Sequence, residues 1–361
     1  MTSTTHQASN SEDVWVDNSM AQDKEAAREE EGAELVGNQV DAHLSVKEAL
    51  RYYWKAIFWS FLISNATIME SYDLILNNLL IAYPAFQKSF GEQLPNGSWS
   101  LDSQWQVALK MSTNIGLTIG VLVNGWLSDR WPPRLLMIGA HILVIAFVFI
   151  SFFAQRIEVL FVGSLLTAIP CGFFVPATSA YAAEICPTKL RGYMTTYVNL
   201  GWVIGHMIAA GVCQGLLKVQ GEWSWRIVYA VQWAWPVPLA VACWFAPESP
   251  WWLARKDRIE DARKSLQRLC SAPLDVINPD DTLAMIQGIL RLEREEMKIQ
   301  GTYLDCFKDT NLRRTEVAVV SWGGQILPGF VIQNYATYFF TLAGLSASDS
   351  FKISLGKLSP D

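Results

Sequence analysis

The sequence predicts an all-α membrane protein: an N-terminal bundle of six spans, a hydrophilic helical segment and a seventh span. Three observations carry this. Hydrophobic residues make up 51% of the 361 residues and charged residues only 17%, and the apolar residues gather into blocks. Seven of these blocks, at roughly 56–82, 105–127, 135–154, 159–183, 194–217, 225–246 and 316–343, come near the ~20 residues that cross ~30 Å of hydrocarbon. Lys and Arg collect in alternate connections.

Taken in order, residues 1–43 are polar and acidic, centred on Lys24-Glu25-Ala26-Ala27-Arg28-Glu29-Glu30-Glu31, and read as a disordered tail. This tail supplies most of the net charge of -6. No basic stripe suggests nucleic acid, and no basic-then-apolar signal peptide precedes the first span, which itself directs insertion. Residues 44–55 predict an interfacial helix anchored by Tyr52, Tyr53 and Trp54. The six-span bundle covers 56–246. Its fourth span holds Gly163, Pro170, Gly172 and Pro176, breakers that a membrane helix tolerates when its neighbours satisfy the freed backbone.

Arg130, Arg134, Lys189, Arg191 and the run Arg255 to Arg268 mark one side as cytoplasmic, which puts the N-terminus there too. The sequon Asn96-Gly97-Ser98 then lies outside, in the loop 83–104, as a glycosylation site. Residues 247–315 form a cytoplasmic segment with helices expected at Asp257–Leu269 and Asp281–Lys298. The seventh span covers 316–343, and 344–361 is a C-terminal stub. The six cysteines are widely spaced and form no CxxC, so neither a disulfide framework nor a metal site is expected, and no cofactor is implied.

The candidate site starts from Glu70 and Asp73 in the first span. A charged side chain at mid-bilayer costs ~2.5–3.5 kcal/mol on insertion scales, so two acids there must be paired, hydrated or protonated, and they mark an ion or substrate site. Three residues apart, they are expected on one helix face. Two close acids in low dielectric cannot both ionise cheaply, which suits a proton carrier. A glycosidase reading fails because the pair sits in a span with no soluble domain; no catalytic residue is expected. In the fifth span Asn199 and His206 are seven apart and share a face. An amide can both donate to and accept from a polar ligand. Trp202 lies one turn from Asn199, where it stacks on a ligand ring or serves as structure.

Three span ends carry a resemblance. Gly125-Trp126-Leu127-Ser128-Asp129-Arg130 closes the second span, Glu184-Ile185-Cys186-Pro187-Thr188-Lys189-Leu190-Arg191-Gly192 the fourth, and Pro247-Glu248-Ser249-Pro250-Trp251-Trp252-Leu253 the sixth. Together they resemble the sugar porter family of the major facilitator superfamily. Glu70-Ser71-Tyr72-Asp73, Ala82-Tyr83-Pro84-Ala85-Phe86-Gln87 and Arg191 to Leu200 narrow the resemblance to the fungal maltose permeases, proton-coupled α-glucoside importers, over about residues 45–356.

The resemblance implies a major facilitator-type N-terminal half, a multi-pass protein of the plasma membrane, and sugar, proton and lipid as partners. It implies coupling at Asp73 with Glu70, and sugar contacts at Asn199, His206, Gln325 and Asn334. It also implies a cytoplasmic gate in which Asp129, Glu184 and Glu248 pair with Arg130 and Arg191. This sequence departs from the pattern at Pro132-Pro133, at Trp251 where the family carries Arg, and at Ser164, where proton-coupled members carry the Arg that pairs with the acid.

Such transporters have two six-span halves around the substrate site. The family pattern runs to about Gly356 and then turns into Lys357-Leu358-Ser359-Pro360-Asp361, which reads as a truncated product that does not transport unless a C-terminal half or a second copy covers its open face. Glu70, Asp73, Asn199 and His206 are expected on that face. The readings left open are a proton-coupled α-glucoside carrier, a carrier for another sugar such as a hexose, and a non-transporting sensor or inert fragment.

Overall fold

A computed structural model describes residues 44–353, apart from 96, 98, 220, 274–275, 298–305, 327–335, 347–348 and 351. Ser45 opens it as a helix cap. Its Oγ accepts from the Glu48 amide (3.3 Å), and the Glu48 carboxylate accepts from the Ser45 amide (3.0 Å), a reciprocal box that starts α1 (Val46–Tyr52). The expected interfacial element ends earlier than 55: Tyr53 separates α1 from α2 (Trp54–Ile81), and Trp54 already belongs to the long helix.

A short α3 (Pro84–Phe90) and a two-residue hairpin, β1 (Glu92–Gln93) with β2 (Trp99–Ser100), make up the next loop. The sequon residue Asn96 lies outside the described residues. Then come α4 (Ser103–Ser128), α5 (Pro133–Phe152), α6 (Ile157–Cys171) with α7 (Phe174–Ile185), and α8 (Thr188–Leu216). The sixth unit is broken into α9 (Trp223–Ala230), a 3-10 turn (Val231–Ala234) and α10 (Pro236–Phe245).

Among the described residues, five of these stretches are long and apolar enough to cross a membrane: Ser103–Ser128, Pro133–Phe152, Ile157–Ile185, Thr188–Leu216 and Trp223–Phe245. The first expected span, α2, is not among the five. It has 28 residues, about 42 Å at 1.5 Å per residue, but Asn65, Glu70, Asp73, Asn77 and Asn78 dilute its hydropathy. Its place in the bundle comes from packing: it lies against α8, α7, α10 and α4. Of the seventh expected span, α14 (Asp309–Ile326) and α15 (Ala336–Leu342) are described and the stretch between them is not.

Helix pairing follows a repeat. The closest pairs are α2 with α8, α4 with α6, and α5 with both α6 and α10. Exchanging the first three spans for the second three turns the α2–α8 pair into the α6–α4 pair, as two related three-helix units require. Both pairs close on small residues. A Cβ on Gly205 of α8 would lie 2.4 Å from the Ile68 carbonyl oxygen of α2, and one on Gly120 of α4 would lie 2.1 Å from the Ile169 carbonyl oxygen of α6. Close backbone approach is how helices associate where lipid supplies no hydrophobic drive.

Beyond α10, α11 (Pro250–Arg255), α12 (Ile259–Leu269) and α13 (Pro279–Met297) bury Leu253, Leu266, Leu283, Ile286 and Leu290 together. The helix expected from Asp257 starts two residues later, because Asp257 takes φ 56°. That left-handed conformation does not extend a helix of L-residues.

Candidate functional site

The interior of the bundle is organised by α2, whose polar residues meet a different neighbour on each side. Glu70 is buried, 3% exposed, and its Oε2 has no hydrogen-bond partner; the backbone N–H of Val175 on α7 lies against its carboxyl. Asp73 has another partner. Its Oδ1 accepts from Nε2 of Gln232, 2.5 Å away, on the 3-10 turn of the sixth unit. The two acids therefore take different partners, although each stays close to the other and both lie near Cys171. Three residues along a helix still leaves a rotation of roughly 60°, and α2 is enclosed closely enough that this rotation places the two acids against different helices.

One turn further, Asn77 is the hub of a buried network. Its amide donates to Thr113 Oγ1 (3.0 Å) and Ser164 Oγ (3.3 Å), and its Oδ1 accepts from the Tyr229 hydroxyl (3.1 Å). Ser164, at the position where the resemblance expects an arginine facing the acid, is thus bonded to Asn77. Tyr72 OH donates to the Val228 carbonyl (2.8 Å), so α2 is tied to the sixth unit at Tyr72, Asp73 and Asn77. No ion pair among the described residues involves Asp73.

Beside this, α8 presents two stripes. Val198, Gly201, Gly205, Ala209 and Cys213 form its buried seam, fastened where Ser71 Oγ donates to the Trp202 carbonyl (2.5 Å). Asn199, Trp202 and His206 form the adjoining stripe. Asn199 is exposed, Trp202 and His206 are half-buried, and the Trp202 and His206 rings meet edge to face at 6.4 Å. Of the four residues expected on one open face, Glu70 is buried, Asp73 and His206 are half-buried and Asn199 is exposed. Gln325 lies in α14 but its side chain is outside the described residues, as is the whole of Asn334.

At the Glu248 end of the bundle the expected acid–arginine pairs are replaced by other contacts. Glu184 accepts from Ser249 Oγ (2.5 Å). Glu248 accepts from the Arg134 amide (3.3 Å), while the Arg134 side chain donates to the Ala246 carbonyl (3.2 Å). Arg130 is exposed, with its guanidinium 3.9 Å from the Trp126 ring centroid. Asp129 is exposed, and its main-chain carbonyl accepts from Lys256 Nζ (2.6 Å). Arg191 Nε is buried without a partner.

Glu184 and Arg191 instead line a cavity of about 150 Å³ that Trp251, Thr188, Met285 and Ile286 also border. A neutral aromatic side chain at 251 adds bulk to this junction and no charge, which leaves the acids to hydroxyl and backbone donors. Burial pushes the Glu248 carboxyl above its ordinary range, opposed by the Arg134 backbone and side chain.

Gln232, Asn77, Thr113 and Tyr229 were not expected at the site. The signal that marks Asn199, a polar side chain in an apolar run, also marks Gln232 and Asn77; what the sequence lacks is which helix each one meets.

This geometry can be set beside known proteins. A family model described as "Sugar (and other) transporter" matches residues 59–358. The general alpha-glucoside permease of Saccharomyces cerevisiae is 39% identical over 323 residues, 88% of this chain and 52% of that protein. A maltose permease of Saccharomyces cerevisiae is 36% identical over 357 residues, 96% of this chain and 56% of that protein. The chain spans about half the length of these curated relatives.

Among solved structures, the proton:xylose symporter XylE bound to 6-bromo-6-deoxy-D-glucose is similar with a TM-score of 0.68 at 17% identity, over 85% of this chain and 68% of that one. A partially occluded inward-open form of XylE from E. coli gives 0.62 at 16% identity, over 85% and 70%. At these identities the likeness concerns the fold.

Proposed function

The chain belongs to the sugar transporter family of the major facilitator superfamily, and from that premise we propose that it serves proton-coupled import of maltose or another α-glucoside. The observation that carries the reading is the polar interior of α2. A buried carboxyl with an unpartnered oxygen, Glu70, stands one turn from an Asp73 held by an uncharged amide, on a helix that packs against α8. Neutral partners let a carboxyl change protonation without stranding an opposite charge in low dielectric. The names of the relatives support an α-glucoside as the sugar.

Under this reading Asp73 is the proton carrier and Glu70 modulates it, while Asn199, Trp202 and His206, with Gln325 and Asn334, contact the sugar. The protein spans the plasma membrane many times, with its N-terminus and the 247–315 segment cytoplasmic and Asn96 outside. The junction of Asp129, Arg130, Glu184, Arg191 and Glu248 is the inner gate, closed by neutral and backbone hydrogen bonds that break when one three-helix unit rocks against the other.

The test is uptake of labelled maltose and of labelled glucose in a yeast strain without α-glucoside permeases. It compares the chain with the chain joined to the part of the general alpha-glucoside permease that it does not match. Proton-dependent accumulation of maltose is expected, and Asp73→Asn should abolish it while leaving exchange of sugar down its gradient. Accumulation of glucose but not maltose would reassign the substrate, and undiminished accumulation in Asp73→Asn at acidic external pH would move coupling elsewhere.

A further inference from the structure

Gln232 is one of the few fully polar side chains buried in the sixth unit, 2% exposed, and it sits on the 3-10 turn between α9 and α10. The surroundings fix that turn on both sides. Trp233 Nε1 donates to the Ile145 carbonyl of α5 (3.1 Å), and the Trp233 ring lies 4.4 Å from Phe149. Trp235 lies 5.5 Å from the Tyr72 ring, and the Tyr72–Val228 and Tyr229–Asn77 hydrogen bonds clamp the turn to α2. The amide is thereby presented to Asp73 by a rigid frame.

We infer that Gln232 is a positioning residue for Asp73, keeping this carboxyl attached to the sixth unit, more strongly as the carboxylate than as the acid. The inference rests on the reading of Asp73 as the coupling group.

The chemistry follows from the amide. Its NH2 donates to a carboxylate, as it does here; turned over, its Oε1 accepts from a carboxylic acid O–H. A guanidinium or ammonium can only donate, so it favours the charged form far more strongly and offers no acceptor to the acid O–H. Among the described residues, the titratable groups around Asp73 are Glu70 and Tyr72 on α2, Cys171 at the end of α6 and Tyr229 on α9, with Cys213 of α8 beyond Tyr72 and Tyr229. All are acids whose neutral forms carry no charge, so none supplies a cation that would favour the charged Asp73. Among the described residues, the side chain that donates to Asp73 is that of Gln232. Because the turn it occupies breaks the sixth unit, the proton at Asp73 is reported to the one place in that unit where the helix is already interrupted.

The test uses the chain as it stands, purified in lipid nanodiscs, and needs no transport. Infrared titration follows the carboxyl band that disappears in Asp73→Asn. Gln232→Met keeps the unbranched shape and removes donor and acceptor. Losing a hydrogen bond to a charged group should move the midpoint of that band to higher pH by about one unit or more. Gln232→Asn, with an amide drawn back by one methylene, should move it the same way by less, and it carries the test if the Met variant does not fold. A midpoint unchanged in both variants, or no titrating band that Asp73→Asn removes, overturns the inference. Failure of the uptake experiment alone would instead overturn the reading of the chain as a coupled carrier, since the titration does not depend on sugar movement.

Discussion

Two regions of this molecule handle polar side chains in opposite ways. In the interior of the bundle Asp73, Asn77, Thr113, Ser164, Tyr229 and Gln232 satisfy one another through uncharged donors and acceptors. In the α11–α13 segment the same task falls to ion pairs on the surface: Arg258 with Asp261 (2.7 Å), Arg294 with Asp257 (3.4 Å), and Arg263 with Asp280. Where water screens a charge, an ion pair forms cheaply and contributes little. Where water is excluded, a charge that loses its partner is left in low dielectric, and a neutral amide or hydroxyl avoids that hazard. A site meant to gain and lose a proton belongs in the second kind of surroundings.

The contrast is broken most forcefully at Asn77. Asn77→Leu keeps the branched shape but strands Ser164 and the Tyr229 hydroxyl, while Thr113 retains its bond to the Leu109 carbonyl. Each buried polar group left unsatisfied costs about 1–3 kcal/mol, so a loss of several kcal/mol is expected, read as a large fall in the thermal midpoint in detergent. A variant as stable as the parent would mean that water reaches this network and that the interior is not dry.

Glu248 sits between the two regimes, at the end of the bundle, and its pH behaviour sharpens the comparison. Burial raises its folded-state pKa above the ordinary 4.5. The folded chain then binds the proton more readily than the unfolded chain, so this group's contribution to stability falls as pH rises from about 4.5 through the raised value. Glu248→Gln keeps an acceptor for the Arg134 amide and removes the buried charge. It should flatten the pH dependence of the melting midpoint over that window, with stability at neutral pH equal to or above that of the parent. A parent whose stability rises with pH there, through this residue, would show Arg134 outweighing burial.

The smallest effect is expected in the hydrophilic segment. Arg258→Ala removes an ion pair whose side chains are 55% and 43% exposed, and such pairs contribute ~0–1 kcal/mol. The melting midpoint should barely move, and added salt should erase what difference there is. A large loss would place this pair in the same class as the interior.

The local features of this chain were readable from its residues. Apolar runs gave the bundle helices, including the breakers Pro170 and Gly172 at the α6–α7 junction. The span-end motifs gave the family, and lone polar residues in apolar runs marked Glu70, Asp73, Asn199 and His206. Each of these is a statement about one segment, because a helix satisfies its own backbone and its length sets whether it crosses a bilayer. The α2 helix tests that logic: too polar to qualify by hydropathy, it still lies at the centre, because its acids and amides are covered by other helices.

Which group meets which was decided only by the tertiary structure. Glu70 and Asp73, three residues apart, part company toward α7 and the sixth unit. Asp73 finds Gln232, 159 positions away, Ser164 goes to Asn77, and Glu184 and Glu248 take Ser249 and the Arg134 backbone in place of the arginines expected for them. The reason is geometric. A helix rotates its side chains by about 100° per residue, so the neighbours of a given residue depend on where the other helices stand around it. Those positions are set by close contacts such as Gly205 on Ile68 and Gly120 on Ile169, which join segments far apart in the chain and leave no mark in either segment alone.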